Sequence, residues 1–402
     1  MKSRLRAYLR FIDRFGGIAI LLGFWGIFLV AFAQHMAPRL GYLAGKPIGL
    51  DAPCNRPECD FSVFWPAGKL AQAHDFATLY SPPRFIDAAG QMLIPHFPYQ
   101  TFFYMPPTLL VLAPLSHLPF EIAALSWIGF CIIASLLLLR LAGYGWAVIA
   151  IGLLSPAALI DYQLVQFGML GGALMLAAIR LGQRYPVLGG ALSGLFAIKP
   201  QLGLILPVLW LGQRRWRAFA ACGAVGLGLC LLSYLCFGQG AWRAYLVQGR
   251  AQSVALLGAP FDAAGEQGWG ASVYWMLRSF GVGTGLTGGL QIVATLAAFA
   301  AMLLVKWRPA QLCAAAVCLN LIAVPYEYTC YMTAYGVILA QSAQNRHWRI
   351  GILDALLFLW PGLCLVISIA TRHELTPLIV LAALWRTSLP RPAPVLPAPA
   401  QE

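Results

Sequence analysis

Of the 402 residues, 60% are hydrophobic and only 10% are charged, a balance that excludes a water-soluble globular fold. The formal net charge of +13 raises the option of a nucleic-acid binder, but the basic residues fall in short clusters between apolar segments. That pattern follows the positive-inside rule, so the chain reads as an all-α polytopic membrane protein in a lipid bilayer, with no nucleic-acid partner.

A basic arm, Lys2 to Arg14, precedes the first apolar segment, and no small-residue cleavage site follows. It is expected to be a retained signal anchor with the N-terminus in the cytoplasm. A span needs about 20 apolar residues, fewer if packed among neighbours. Spans are expected near 15–33, 119–139, 145–160, 163–179, 186–198, 200–212, 217–237, 287–305, 310–324, 328–343, 350–370 and 374–388. Alternate loops then put Arg140, Arg180, Arg184, Arg214, Arg215, Arg217, Lys306, Arg308, Arg346, Arg349 and Arg386 on the cytoplasmic side. Residues 106–118, PPTLLVLAPLSHL, are short and Pro-rich, and counting them as a span inverts every later loop. They are expected to form a re-entrant or half-crossing helix.

The same assignment sorts the acids. Asp51, Glu58, Asp60, Asp75, Asp87, Asp161, Asp262, Glu266, Glu327 and Glu374 land at or beyond the outer boundary, and Asp354 lands just inside the inner face near Arg349. Any chemistry is therefore expected on the outer side. Two outward loops are long, 34–105 and 238–286. Residues 1–389 read as one transmembrane domain, and 390–402 as a disordered Pro/Ala-rich cytoplasmic tail.

The first long loop carries CNRPECDFSVFWPAGKLAQAHDFATLY, residues 54–80. From Asp60 onward it reads as a short amphipathic helix, with Phe61, Phe64, Trp65, Leu70 and Phe76 available to lie on lipid. Asp60 is either a solvated loop acid or helix cap, or a proton acceptor whose pKa partial desolvation raises into a useful range. Glu58 forms a Glu-x-Asp pair with it, a weak hint of a divalent ion. No Asp-x-Asp occurs and no His/Cys/carboxylate cluster has metal spacing, so neither metal nor cofactor is expected. Cys54 and Cys59 form a disulfide or stay free thiols, since so short a ring can strain the bond. The other eight cysteines lie in apolar segments and read as packing residues.

Further along, Asp161, Gln163 and Gln166 open a segment at the outer face, as helix caps or as sugar-hydroxyl partners. Gly190-x-x-x-Gly194 reads as close helix packing. Lys199, before Pro200, sits on the outer side without a positive-inside reason, either snorkelling to a headgroup or anchoring a phosphate. The glycines at 281, 283 and 285 follow no strand and read as a loop. Pro325–Tyr326–Glu327–Tyr328 sets an acid among tyrosines, as a carbohydrate platform or an interfacial aromatic belt.

Several stretches together resemble glycosyltransferase family 87, integral membrane enzymes of the GT-C class. They are DFSVFWPAGKL…LY at 60–80, YMPPTLLVLAPLSHLP at 104–119, QFGML at 166–170, GGALSGLFAIKPQLGLILP at 189–207, RRWRAF at 214–219 and FGQGAW at 237–242. The resemblance spans roughly residues 15–345. It implies a GT-C type helical bundle whose long outward loop carries amphipathic helices. It also implies an inverting hexosyltransferase, mannosyltransferase-like, in a bacterial inner membrane with its active site facing the periplasm. The donor would be a polyprenyl-phosphate-linked sugar and the acceptor a glycolipid or glycan hydroxyl. Asp60 holds the place of the catalytic acid in the first outward loop, with Lys199 and Arg84 for the donor phosphate. Glu58, Trp65, Tyr104, Asp161, Gln166, Glu327 and Tyr328 are the substrate-contact candidates. Members often read Gly-Gln-Asn-Gly where Val165-Gln166-Phe167-Gly168 stands, and many carry His or Asp where Cys330 and Tyr331 stand. The rival class is a lipid or sugar transporter or flippase, which predicts ionisable groups near the membrane midplane and paired broken helices.

Overall fold

The computed structural model describes residues 2–43, 60–93 and 101–389. Asp51, Cys54, Glu58, Cys59, His96 and the tail 390–402 lie outside the described residues, and with them the expected cysteine pairing. Among the described residues no strand forms, and one isolated antiparallel bridge joins Gly270 to Tyr328. In chain order the helices are α1 (Lys2–Leu43), α2 (Phe61–Gln72), α3 (Phe76–Leu79), α4 (Pro82–Met92), α5 (Leu109–Leu115), α6 (Phe120–Leu141), α7 (Trp146–Leu153), α8 (Pro156–Leu164), α9 (Gly168–Arg184) and α10 (Pro186–Gly194). They continue as α11 (Ile205–Gly212), α12 (Trp216–Ala244), α13 (Arg250–Gly258), α14 (Val273–Ser279), α15 (Thr284–Leu304), α16 (Pro309–Ala323), α17 (Thr333–Asn345), α18 (Ile352–Thr371) and α19 (Thr376–Ser388).

The sequence starts many of these helices in recognisable ways. Proline opens α4, α8, α10 and α16, where its missing N–H would have no intrahelical partner anyway. Asp75, Ser155 and Ser272 cap α3, α8 and α14 by accepting from the N–H of Thr78, Ala158 and Trp275. Five helical stretches are long and apolar enough to cross a membrane: Phe11–Gln34, α6, Trp216–Gly258, α15 and α18. The pair α7/α8, bent by 54°, makes a sixth if counted as one span. The other expected spans are shorter pieces, such as Pro186–Ile198, Pro200–Gly212 and Pro309–Ala323. A 13-residue helix reaches only about 20 Å, so such pieces fall short of a hydrocarbon core of roughly 30 Å.

Two sequence expectations need correction. The helix after Asp60 does not lie on lipid: Phe61, Phe64, Leu70 and Phe76 of α2 and α3 are buried in the protein core. Phe61 packs on Phe120, Phe64 on Tyr104 and Phe167, and Phe76 on Phe237. Amphipathic patterning fixes which face is apolar, not whether lipid or protein covers it. Nor is 238–286 a long loop. Helix α12 kinks at Gly238, passes through a π-helical turn at Tyr245–Gly249 and runs on as α13 to Gly258. The irregular part is thus 259–272, broken by a short 3-10 turn at Glu266–Trp269.

Helix α10 lies between α9 and α12. A Cβ on Gly190 would come 2.1 Å from the Ala218 carbonyl oxygen, and one on Gly194 2.6 Å from that of Cys222. The Gly190-x-x-x-Gly194 spacing therefore lets α10 and α12 approach backbone to backbone. Gly190→Leu should lower the thermal midpoint of the detergent-purified protein, since overpacking typically costs about 1–3 kcal/mol or more. An unchanged midpoint would mean that α12 moves away freely.

Asp354, near the start of α18, is held by two arginines. Arg346, just after α17, reaches it at 2.7 and 3.2 Å, and Arg386 on α19 reaches it twice at 2.9 Å. Asp354 is buried, and Arg349, its expected neighbour, is exposed. The register of α17 and α19 rather than nearness in sequence decides the partner.

Candidate active site

The 3-10 turns on either side of Lys199 break the apolar run between α10 and α11, with Pro200 opening the second. Lys199 is only 2% exposed, which rules out a snorkelling lysine. Its Nζ donates to Gln166 Oε1 at 2.9 Å and to the Tyr331 hydroxyl at 2.7 Å. Three rings surround the same ammonium, with centroids at 4.2 Å (Tyr331), 4.8 Å (Tyr104) and 5.3 Å (Phe167). Hydrogen bonds and ring faces together offset the cost of burying the charge.

Gln166 carries the second half of the arrangement. Its Nε2 donates to Asp60 Oδ2 at 2.5 Å, so one amide joins the acid to the lysine. Asp60 precedes α2 but makes no capping hydrogen bond with its side chain, which removes the cap reading. It is half-buried. Burial raises its carboxyl above the usual carboxylate range, against the pull of the Gln166 amide and the Lys199 charge.

The turn that presents Gln166 is unusual. Val165 ends α8 in the left-handed region (φ 57°, ψ 48°), which a β-branched residue rarely adopts. The Asp161 carboxylate accepts from the N–H of Gly168 at 2.7 Å and of Met169 at 2.9 Å, fastening the turn to the start of α9. Asp161 thus caps the start of α9, one of the two readings its position allowed, and in doing so it helps fix the turn that carries Gln166. The Trp127 indole holds the Gln166 carbonyl at 3.1 Å. Gly168 is needed because a Cβ there would stand 2.3 Å from the Cys330 carbonyl oxygen. That contact brings the 165–168 turn against the residues that deliver Tyr331.

The remaining candidates divide. Tyr104 joins the centre: its ring lies against Lys199 and packs edge-on to Phe64. Tyr328 lies one ring further out, 6.4 Å from Tyr331. Glu327 is 1% exposed, and burial pushes its carboxyl well up while the Lys199 charge pulls it down. Trp65 is tied elsewhere, its indole donating to the Leu118 carbonyl at 2.9 Å. Arg84 stands exposed on α4. Glu58 is outside the described residues. Tyr331 is not among the contact candidates; the sequence marks its position only as one where family members often carry His or Asp, and the structure brings its hydroxyl to Lys199.

A helical membrane bundle with an acid, an amide and a buried lysine joined in one centre is laid out as a polytopic membrane enzyme. The model of glycosyltransferase family 87 matches residues 102–325, more than half of the chain. The chain belongs to that family and is a membrane glycosyltransferase. Comparison with the curated proteins and with the solved structures returned no match. Gln166 and Lys199 lie inside the matched segment, Asp60 before it and Tyr331 just after it. Enzyme membership disposes of the transporter alternative, although α7/α8 and the Lys199 junction are broken helices of the kind it predicted.

Proposed function

We propose that the protein transfers a hexose, mannose or a close relative, from a polyprenyl-phosphate donor to a hydroxyl of an envelope glycolipid or glycan. The observation that carries this is the single Gln166 amide linking the Asp60 carboxylate to the Lys199 ammonium. A glycosyl transfer from a lipid phosphate needs a base for the incoming hydroxyl and a positive charge for the outgoing phosphate, close together but on opposite sides of the sugar. In this reading Asp60 takes the acceptor's proton as its oxygen attacks the anomeric carbon. The bond from that carbon to the phosphate oxygen breaks, and the polyprenyl phosphate leaves with the electron pair. One displacement inverts the anomeric centre. Lys199 has three N–H donors; two are directed to Gln166 and Tyr331, and the third would serve the leaving oxygen. The test is purified protein in nanodiscs with polyprenyl-phosphate hexoses and extracted envelope glycolipids, followed by chromatography of the product. No hexose transfer from any polyprenyl phosphate donor would overturn the donor assignment.

The reaction belongs, in this reading, on the periplasmic face of a bacterial inner membrane, because the positive-inside rule assigns the arginine-rich turns of the sequence to the cytoplasm. A reporter active only in the periplasm should therefore work when inserted in 259–265 and stay silent at 213–215. The reverse pattern would put the site on the cytoplasmic face.

A further inference from the structure

The sequence set Glu327 between two tyrosines as a possible sugar platform, but the extended backbone there separates them. Tyr328 has strand-like angles (φ −128°, ψ 157°) and pairs with Gly270. In extended chain successive side chains point to opposite faces. Accordingly Glu327 is buried toward Lys199, while Tyr326 and Tyr328 are half-buried together, their rings 5.0 Å apart and nearly perpendicular.

A different acid comes to these rings. The Ala271 N–H donates to the Glu327 carbonyl (2.8 Å) and the Ser272 side-chain hydroxyl to the Pro325 carbonyl (2.8 Å), which draws the 259–272 segment alongside. That sets the turn Glu266–Trp269, with Glu266 exposed on it, in the segment paired to 325–328, where its charge raises the Tyr326 and Tyr328 phenols further than burial alone. Phe103 closes the other side, 5.7 Å from Tyr326 and stacked on Tyr104 at 5.2 Å. The patch is continuous with the centre, since Tyr104 and Tyr331 both lie against Lys199.

We propose that Tyr326, Tyr328 and Glu266 form the subsite that seats the acceptor's sugar ring, an assignment that rests on Asp60 and Lys199 being the reaction centre. Tyrosine faces suit the C–H face of a pyranose, and a carboxylate accepts from its hydroxyls. The donor fits poorly on the same patch, because its phosphate would meet the Glu266 charge, whereas a neutral glycan meets no such repulsion. The patch also belongs to the 259–272 and 325–328 segments rather than to the long lipid-facing helices.

The test uses full-length protein in nanodiscs and saturation-transfer NMR with the methyl pyranosides of mannose, glucose and galactose as probes. At least one should receive saturation from the wild type and equally from Asp60→Asn, because this binding needs no catalysis. Glu266→Gln and Tyr326→Ala should each weaken it about tenfold or more, as loss of a charge-assisted contact does. Asp87→Asn, an exposed change on α4, should not. Glu266→Gln alters one exposed side chain, so its thermal midpoint should stay at the wild-type value and the comparison remains interpretable. Unchanged binding in Glu266→Gln, or no transfer to any of the three glycosides, overturns the subsite. Displacement of the glycoside by undecaprenyl-phosphate-mannose on Asp60→Asn would assign the patch to the donor and overturn it likewise. Full turnover by Asp60→Asn with glycoside binding still dependent on Glu266 would remove the base instead.

Discussion

Asp60→Asn should lower turnover by at least ~10²-fold, the usual share of a general base, while protein level and donor binding are largely kept. The amide keeps the size of the carboxyl but cannot take a proton at working pH. The structure adds a pH signature to this expectation. Burial holds the Asp60 carboxyl above its ordinary range. A base works only when unprotonated, so kcat/KM should fall on the acid side through a pKa higher than the roughly 3.9 of a free aspartate. The two readouts together separate a base from a structural acid. Normal turnover in Asp60→Asn would move the role to Glu327, or to Glu58 outside the described residues.

Lys199→Met should cost about one to two decades in donor affinity, the usual worth of a charge-assisted hydrogen bond to phosphate, and should slow the chemical step as well. Its second effect follows from the Gln166 link. The lysine charge pulls the Asp60 carboxyl downward, so removing it should move the acid limb of kcat/KM to higher pH. Lys199→Arg keeps the charge but must fit a guanidinium among rings only 4.2–5.3 Å away, so rescue should be partial at best. The measurement is turnover against donor concentration and pH for the three forms. A Met variant that shifts the pH limb but leaves the donor KM unchanged would make Lys199 a positioning residue for Asp60, with no phosphate contact of its own.

Asp60 and Lys199 are legible in the sequence because ionisable side chains beside apolar runs are costly and therefore conspicuous. The residue that joins them is not. Gln166 lies 106 positions from Asp60, and it reaches the acid only because Val165 takes a left-handed turn that no propensity would assign to valine. Phe167 stands where family members often carry a polar residue. In the fold that ring faces the lysine ammonium and packs on Phe64 and Trp127, so an aromatic surface occupies the place. Membrane class and helical content follow from composition alone. Span number does not, because proline and glycine divide several apolar runs into pieces whose tilt and burial depend on neighbours. The misplaced amphipathic helix has the same origin: Phe61 and Phe64 look alike whether a lipid chain or another phenylalanine is the partner.

The Asp354 clamp bears on how the chain is made. Helix α18 carries its acid into a buried position, yet one of its two counter-ions, Arg386, is synthesised 32 residues later on α19. Until α19 docks, Arg346 is the one of these two counter-ions in place, and an incompletely compensated buried charge typically costs on the order of several kcal/mol. Docking of α19 thus completes the charge balance that α18 needs. A nascent protein that has inserted α18 but not α19 carries a defect at the bundle's edge that membrane quality control can recognise, and truncation before Thr376 should be read by the cell as an unfinished protein rather than a shortened one.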